Sequence, residues 1–263
     1  MHLKDKIAVV TGGASGIGTA LCRRFAKEGA RGIVVADINA EDAANVAEEV
    51  GGLAVTADVG VEQDVIRIVD ETMDRFGQID LFCSNAGIAF PDNGTAASAP
   101  NEQWQKIWDV NLMAHVYAAR AVLPLMIARG EGYLLNTASA AGLLSQIGSA
   151  TYAVTKHAAV AFAESLAITH GDDGIKVSVL CPQAVRTAMT AGSNKGGVAG
   201  LDGLMEPEQL ADAVIEALAE ERFLIIPHKE VLTYMQRKTS DYDRWLGGMR
   251  RLRNRSKDLM RKP

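Results

Sequence analysis

The chain has 263 residues, of which 48% are hydrophobic and 22% charged, with a formal net charge of -5. This composition is typical of a soluble globular protein with a large core, and it excludes a mostly disordered chain. The acidic balance argues against a general nucleic-acid-binding protein. The charge is uneven, because the segment from Met235 to Pro263 carries ten Lys or Arg against three Asp.

The three cysteines, Cys22, Cys83 and Cys181, lie far apart within apolar runs. This pattern predicts reduced structural thiols in a reducing compartment. The five histidines are equally scattered, so we expect no metal site. No signal peptide precedes the first strand, and no uninterrupted apolar run reaches the ~18 residues of a membrane span. We therefore expect a cytoplasmic protein with no membrane partner.

The first predicted unit is a strand, a glycine turn and a helix. The run from Ile7 to Thr11 is rich in β-branched residues, the turn that follows contains four glycines, including Gly12, Gly16 and Gly18, and helical spacing comes next. Such a unit offers backbone N–H groups and a helix N-terminus to a pyrophosphate. The glycine spacing differs from the usual G-x-G-x-x-G fingerprint, so the segment alone could be an ordinary turn.

A second apolar strand ends in Asp37, nineteen residues after Gly18. Dinucleotide-binding folds have at this point the acid that binds the adenosine ribose hydroxyls. The alternative is that Asp37 caps a helix over residues 41–50. A carboxylate here repels the 2′-phosphate of NADP, so Asp37 favours NAD.

Strands and helices alternate along the rest of the chain. Further strands are predicted over 53–57, 80–84, 133–138, 175–181 and 223–227, and helices over 63–76, 102–129 (as two helices), around 152–156, and 207–220. This order predicts the α/β class, as a single-domain Rossmann-type doubly wound fold with a seven-stranded parallel sheet and helices on both faces. We expect residues 1–263 to form this one domain, with a basic helical tail from about residue 229.

Tyr152 and Lys156 are four residues apart, so in a helix their side chains project from one face. A free phenol titrates near ~10, and a neighbouring cation lowers that pKa, which would make the phenol useful as a base. Ser139 follows a predicted strand and could hold a substrate oxygen. With five tyrosines in the chain, a Tyr-x-x-x-Lys spacing also arises by chance.

Together, these motifs resemble the short-chain dehydrogenase/reductase family from about Lys6 to Pro227. The matching features are Thr11-Gly-x-x-x-Gly-Ile-Gly18, Asp58-Val59, Asn85-Ala-Gly87, Asn111, Ser139, Tyr152-x-x-x-Lys156 and Pro182-x-x-x-x-Thr187. Two residues depart from the family pattern. Ser84 stands where Asn is usual, and Gln183 replaces the glycine that usually follows Pro182.

The resemblance implies catalytic roles for four residues. Tyr152 would be the general acid/base, Lys156 would lower the pKa of Tyr152 and bind the nicotinamide ribose, Ser139 would hold the substrate oxygen, and Asn111 would support a proton relay. The residues that it assigns to cofactor binding are Gly12, Ser15, Gly16, Ile17, Gly18, Asp37, Asp58, Val59, Asn85, Ala86, Gly87, Tyr152, Lys156, Pro182, Val185 and Thr187.

By the same analogy, the residues expected to line the substrate pocket are Ala141, Leu143, Gln146, Ile147, Gln183 and Met189. They are mostly apolar, with no obvious cation to bind a carboxylate or phosphate, although Arg186 and Lys195 could reach in. The resemblance therefore implies hydride transfer between NAD(H) and a secondary alcohol or ketone of moderate, mainly apolar character.

Two other functions stay open at this stage: an NADPH-dependent carbonyl or 3-oxoacyl reductase, and a non-catalytic NAD-sensing protein. Family members usually form dimers or tetramers through the helices corresponding to about 102–129 and 150–170. We therefore expect a homo-oligomer, with a homotetramer as the family's common form.

Overall fold

A computed structural model describes residues 1–191 and 194–260, and their side chains except those of 194–196 and 257–260. Its central feature is a seven-stranded sheet in the order β3-β2-β1-β4-β5-β6-β7, and every pairing in it is parallel. The strands are β1 (Ile7–Thr11), β2 (Gly32–Asp37), β3 (Leu53–Thr56), β4 (Leu81–Ser84), β5 (Gly132–Thr137), β6 (Ile175–Leu180) and β7 (Leu224–Ile225). The predicted fold class is confirmed.

The helices connect these strands and cover both faces of the sheet. They are α1 (Gly16–Lys27), α2 (Ala40–Val50), α3 (Glu62–Phe76), α4 (Asn101–Trp108), α5 (Ala114–Arg129), α6 (Ala140–Leu143), α7 (Ala150–His170), α8 (Ala188–Ala191), α9 (Pro207–Ala219), α10 (Glu230–Ser240) and α11 (Tyr242–Met260). One buried cluster lies between the sheet and α3, α5 and α7, and the other between the sheet and α1, α2 and α9. Burial of the strands on both sides explains their nearly continuous apolar sequences.

The strand order reverses beside β1, because β2 and β4 pair with its opposite edges. In open α/β sheets, ligands bind outside the carboxyl ends of the strands at such a switch point. The turn after β1 and the segment after β4 therefore flank the place where a ligand site is expected.

The predicted bounds of the last strand were wrong. It is only two residues long, Leu224–Ile225, since it pairs with β6 alone at the edge of the sheet. The two helices predicted over 102–129 are present as α4 and α5, and a π-helical turn over Asp109–Met113 joins them into one continuous helical segment.

The same segment, Asn101–Arg129, is long and apolar enough by length and composition to cross a membrane, and half of its most apolar window is buried inside the protein. It packs against α3, α7, β4 and β5, and α5 contributes Ala118, Val122 and Met126 to the core. These contacts are those of a core helix.

Candidate active site

A cavity of about 2170 Å³ opens at the carboxyl ends of the strands. Pockets for one small ligand usually measure ~300–1,000 Å³, so this cavity has room for a dinucleotide and a second molecule. The predicted site residues that line it are Gly12, Ser15, Gly16, Ile17, Asp37, Asp58, Val59, Asn85, Ala86, Gly87, Ser139, Ala141, Gln146, Ile147, Tyr152, Lys156, Pro182, Gln183, Val185, Thr187 and Met189.

Three predicted site residues lie behind the cavity wall. A Cβ on Gly18 would come within 2.0 Å of the Gly12 carbonyl oxygen, so Gly18 permits close packing of helix and turn. Asn111 is completely buried. The prediction for Leu143 was wrong, because this side chain packs against the core and its neighbour Leu144 lines the cavity instead.

The glycine turn after β1 is shaped for close approach. Gly12 has φ +65° and Gly16 has φ +52°, and a Cβ on Gly12 would lie 2.9 Å from the Ala86 Cα. Helix α1 begins at Gly16 with no side-chain cap and no acidic residue in its first turn. Its N–H groups and the positive end of its dipole are thus available to an anion in the cavity.

Asp37 ends β2 with its carboxylate at the cavity. Its Oδ2 accepts a hydrogen bond from the Ala14 N–H at 3.1 Å, and its Oδ1 accepts one from the Asn39 N–H at 3.0 Å. The alternative role as a helix cap is wrong, because Asn39 caps α2 by accepting from the Asp42 N–H. Asp37 is therefore held against the glycine turn, facing the cavity.

At the same end of the cavity, Asp58 pairs with Lys106. The Lys106 Nζ lies 3.1 Å from Asp58 Oδ2, while Asp58 Oδ1 accepts from the Gly60 N–H at 2.9 Å. Lys106 comes from α4, 48 residues away, and no sequence pattern indicated this contact. The neighbouring Val59 is buried.

Asn85 joins three strands where they end. Its Nδ2 donates to the Thr11 carbonyl at 3.0 Å, its N–H donates to Thr11 Oγ1 at 2.9 Å, and its Oδ1 accepts from Thr137 Oγ1 at 3.3 Å. These bonds fix the position of Ala86 and Gly87 against the glycine turn.

Ser139 and Tyr152 come together from two different helices. Ser139 is the N-cap of α6, where its Oγ accepts from the Ala141 N–H at 3.1 Å, and Tyr152 lies in the first turn of α7. Burial raises the pKa of the Tyr152 phenol, and its hydrogen bond with Ser139 partly opposes this rise.

Lys156 lies one turn further along α7 and is only 3% exposed. Its Nζ donates to the Thr137 carbonyl at 2.9 Å and lies 5.7 Å from the centroid of the Tyr152 ring. Burial lowers the pKa of Lys156 to about 8. Burial acts on both groups, raising the pKa of Tyr152 and lowering that of Lys156, and the lowering of the Tyr152 pKa by Lys156 stays a prediction.

Asn111 lies within the π-helical turn, which widens the helix and turns its amide towards the strand ends. Asn111 Oδ1 accepts from the Ile88 N–H and its Nδ2 donates to the Ile88 carbonyl, both at 2.9 Å. Its Nδ2 also donates to Thr155 Oγ1 at 3.2 Å. A Cβ on Gly87 would lie 3.4 Å from Asn111 Oδ1 and 3.5 Å from Lys156 Nζ, so both side chains face the same glycine.

His115 is a further buried polar residue near this group that sequence reasoning missed. It is 2% exposed on α5. Burial, together with the charge of Lys156, lowers the pKa of His115 to about 4, so the ring is neutral at pH 7. Within the described part of the chain, no group of three His, Cys, Asp or Glu could hold a metal ion.

The family model for short chain dehydrogenases matches residues 6–197. The chain belongs to this family. It is 40% identical over 236 residues to a 1-deoxy-11-beta-hydroxypentalenate dehydrogenase of Streptomyces exfoliatus, covering 88% of this chain and 86% of that protein. It is 33% identical over 236 residues to the human epidermal retinol dehydrogenase 2, covering 86% and 75%.

Solved structures show the same family. A short chain dehydrogenase/reductase from Burkholderia phymatum, in complex with NAD, superposes with a TM-score of 0.84 at 26% identity, covering 92% of this chain and 96% of that one. As a short-chain dehydrogenase, this protein is an oxidoreductase. The family resemblance that the motifs predicted is confirmed.

Proposed function

We propose that the protein is an NAD-dependent dehydrogenase of secondary alcohols of moderate, mainly apolar character. One observation carries this proposal: Ser139, Tyr152 and Lys156 line a single cavity with the open N-terminus of α1 and Asp37. A cavity that joins an acid–base group to a dinucleotide-shaped site can bring a hydroxyl carbon next to a nicotinamide.

The residues at the nucleotide end of the cavity, where the glycine turn, the start of α1 and Asp37 lie, fit NAD. Gly12 and Gly16 leave room for a pyrophosphate at the N-terminus of α1, and the Asp37 carboxylate suits the ribose hydroxyls and repels a 2′-phosphate. The Burkholderia phymatum relative is in complex with NAD, which supports this assignment. When bound, NAD supplies the hydride acceptor.

Four residues of the chain perform the proton chemistry in this proposal. The Ser139 hydroxyl holds the substrate oxygen, and the Tyr152 phenolate removes the hydroxyl proton as the alcohol is oxidised. Lys156 and Asn111 face Gly87 together, and we assign them to passing the proton onward. In ketone reduction the same groups deliver the proton.

The substrate region is mostly apolar, with Ala141, Ile147 and Met189 in its wall. Gln183 is a polar residue of this wall, and its Oε1 is buried without a hydrogen-bond partner among the described residues. A buried acceptor without a donor is costly, so we assign Gln183 to a donor on the substrate or on the carboxamide of the cofactor. The names of the relatives describe dehydrogenation of a hydroxypentalenate and of a retinol, which supports a hydroxylated substrate.

The test is NAD and NADP reduction by the purified protein, monitored by absorbance over a panel of secondary alcohols that includes cyclic and steroidal members. We expect NAD-linked turnover with at least one bulky apolar alcohol. Turnover with NADP alone would instead favour the carbonyl reductase alternative. Tight NAD binding with no turnover across the panel would favour a sensing protein.

We expect Asp37→Asn to lower the ratio of the Kd for NADP to the Kd for NAD by about tenfold or more, because the variant removes the charge that repels the 2′-phosphate. The measurement is the Kd of both oxidised cofactors by calorimetry. Asp58→Asn is the matched control: Asp58 lies at the same end of the cavity but is paired with Lys106, so its substitution should weaken both cofactors equally. A preference unchanged by Asp37→Asn would contradict the assignment.

We also propose a cytoplasmic homo-oligomer built through α4, α5 and α7. These helices expose large apolar side chains, among them Leu125, Ile127, Val154 and Ile168, and the last of these is 84% exposed. Contiguous exposed apolar surface marks interaction sites. Light scattering would distinguish a dimer or tetramer from the 28.0 kDa monomer.

A further inference from the structure

Part of the cavity wall is formed by α10 and α11, which follow the part of the chain that the family model matches. Their apolar contribution to the cavity wall comes from Trp245, Met249 and Leu252, which recur at helical spacing along α11. Their basic contribution comes from Arg237 at the end of α10 and from Arg244, Arg251 and Arg253 on α11. The wall is therefore amphipathic.

Lys238 connects this part of the wall to α6, the helix that begins after Ser139. It is 7% exposed, and its Nζ donates to the Leu143 and Leu144 carbonyls at 2.8 and 2.7 Å. These carbonyls end α6, the helix that Ser139 caps at its other end. The Lys238 ammonium also lies 5.2 Å from the ring centroid of Trp245, so one buried cation joins α6, α10 and α11.

Arg237 and Arg244 stand where α10 meets α11, and their guanidinium groups are not held by another described side chain. Among the described side chains, neither guanidinium forms a hydrogen bond or an ion pair, whereas the cavity-lining Lys106 pairs with Asp58 at 3.1 Å.

Besides Asp37 and Asp58, the acidic residues of the cavity wall are Asp92 and Asp202, and both already accept hydrogen bonds. Asp92 accepts from the Ala150 N–H, and Asp202 accepts from the Tyr234 hydroxyl. The part of the cavity wall formed by α10 and α11 therefore has unpaired positive charge, while Asp37 and Asp58 lie at the nucleotide end.

We propose that the substrate carries a carboxylate, which binds Arg237 and Arg244 while the apolar body of the molecule lies against Trp245 and Met249. This inference rests on the proposed function, which orients the hydroxyl carbon towards Ser139 and Tyr152. Guanidinium groups bind carboxylates through paired, charge-assisted hydrogen bonds. Arg186 and Lys195 were the cations expected to reach the pocket; Arg186 pairs with Glu206, and the Lys195 side chain lies outside the described residues. The basic tail adds four arginines to the cavity wall.

The test uses hydroxy acids matched to their methyl esters, namely 12-hydroxystearate and deoxycholate with the methyl ester of each. We expect wild-type kcat/KM with NAD to favour an acid over its ester by about 10- to 100-fold, the range for a charge-assisted contact. The double variant Arg237→Gln/Arg244→Gln should bring this ratio close to one. Arg250→Gln is the matched control, because Arg250 is exposed on α11 and is not part of the cavity wall, and it should leave the ratio unchanged.

A second measurement separates this inference from the proposed function. The Kd values of the four probes are measured by calorimetry on Tyr152→Phe protein loaded with NADH, with and without the two arginine substitutions. Tighter binding of the acids than of the esters, if it depends on the two arginines, supports the inference. Absence of turnover of all four probes by the wild type would count against the proposed function but not against this binding result. Three results would overturn the inference: equal Kd values for acid and ester, a preference for the acid that survives in the double variant, or no binding of any probe.

Discussion

Tyr152→Phe is expected to lower kcat for alcohol oxidation by about 10²- to 10⁴-fold, the usual contribution of a positioned acid–base group. The variant removes one oxygen and keeps the ring that lines the cavity. Since no other titratable hydroxyl hydrogen-bonds to Ser139 in the described structure, we expect no substitute base. The Kd for NAD should stay within about twofold, as measured by calorimetry on both proteins.

Tyr117→Phe is the matched control for this experiment. Tyr117 lies on α5 outside the cavity, and its ring contacts the Arg120 guanidinium at 5.9 Å, a contact that Phe retains. Its activity should equal that of the wild type. Retention of more than a tenth of the activity by Tyr152→Phe would remove Tyr152 from the mechanism, and loss of NAD binding would assign it a role in the cofactor site. Ser139→Ala is less decisive, because it also removes the cap of α6.

The parts of the site that sequence reasoning located are those that depend on local chain geometry. The glycine turn, Asp37 at the end of β2 and the Tyr152–Lys156 spacing each follow from a strand end or a helical period, and the parallel sheet then brings the strand ends to one edge. These features need only nearby residues and the alternation of strands and helices. The cavity contains them all.

Other features depend on contacts between distant segments. The bonds from Lys238 to Leu143 and Leu144 span 95 and 94 residues, so the basic tail could not be placed at the cavity from its composition. The π-helical turn at Asn111 changes no sequence period strongly enough to be detected. The burial of the Tyr152 phenol could not be predicted either, because it depends on the whole fold, while helical spacing reports only the nearness of Lys156.

Lys156 is charged and buried, and we infer that its desolvation lowers the free energy of unfolding of the protein. Its pKa falls from 10.5 to about 8 in the folded protein. At ~1.4 kcal/mol per pKa unit, the charged form destabilises the folded state by roughly 3 kcal/mol. The hydrogen bond to the Thr137 carbonyl restores part of this, about 1 kcal/mol for a typical bond.

We therefore expect Lys156→Met to abolish activity and yet to stabilise the cofactor-free protein by about 1–3 kcal/mol at pH 7, which corresponds to a Tm higher by roughly 3–8 °C. Below about pH 8, Lys156 is protonated in both the folded and the unfolded wild type, and the stability difference between the variant and the wild type has its full size. Between about pH 8 and 10.5, only the unfolded wild type holds it, so wild-type stability gains relative to the variant as the pH rises. Thermal unfolding at pH 7, 8, 9 and 10 should show the gap closing.

Lys176→Met is the matched control for this pH series, since Lys176 is half exposed and pairs with Glu221 at the surface. It should change the Tm little and by the same amount at every pH, because surface pairs contribute little. His115, the other buried base near Lys156, has a pKa of about 4 and stays neutral over this range, so its titration does not enter the comparison. A Lys156→Met variant less stable than the wild type, or a gap independent of pH, would show that the buried ammonium is stabilised by its surroundings. In that case Lys156 would be a structural support as well as part of the site.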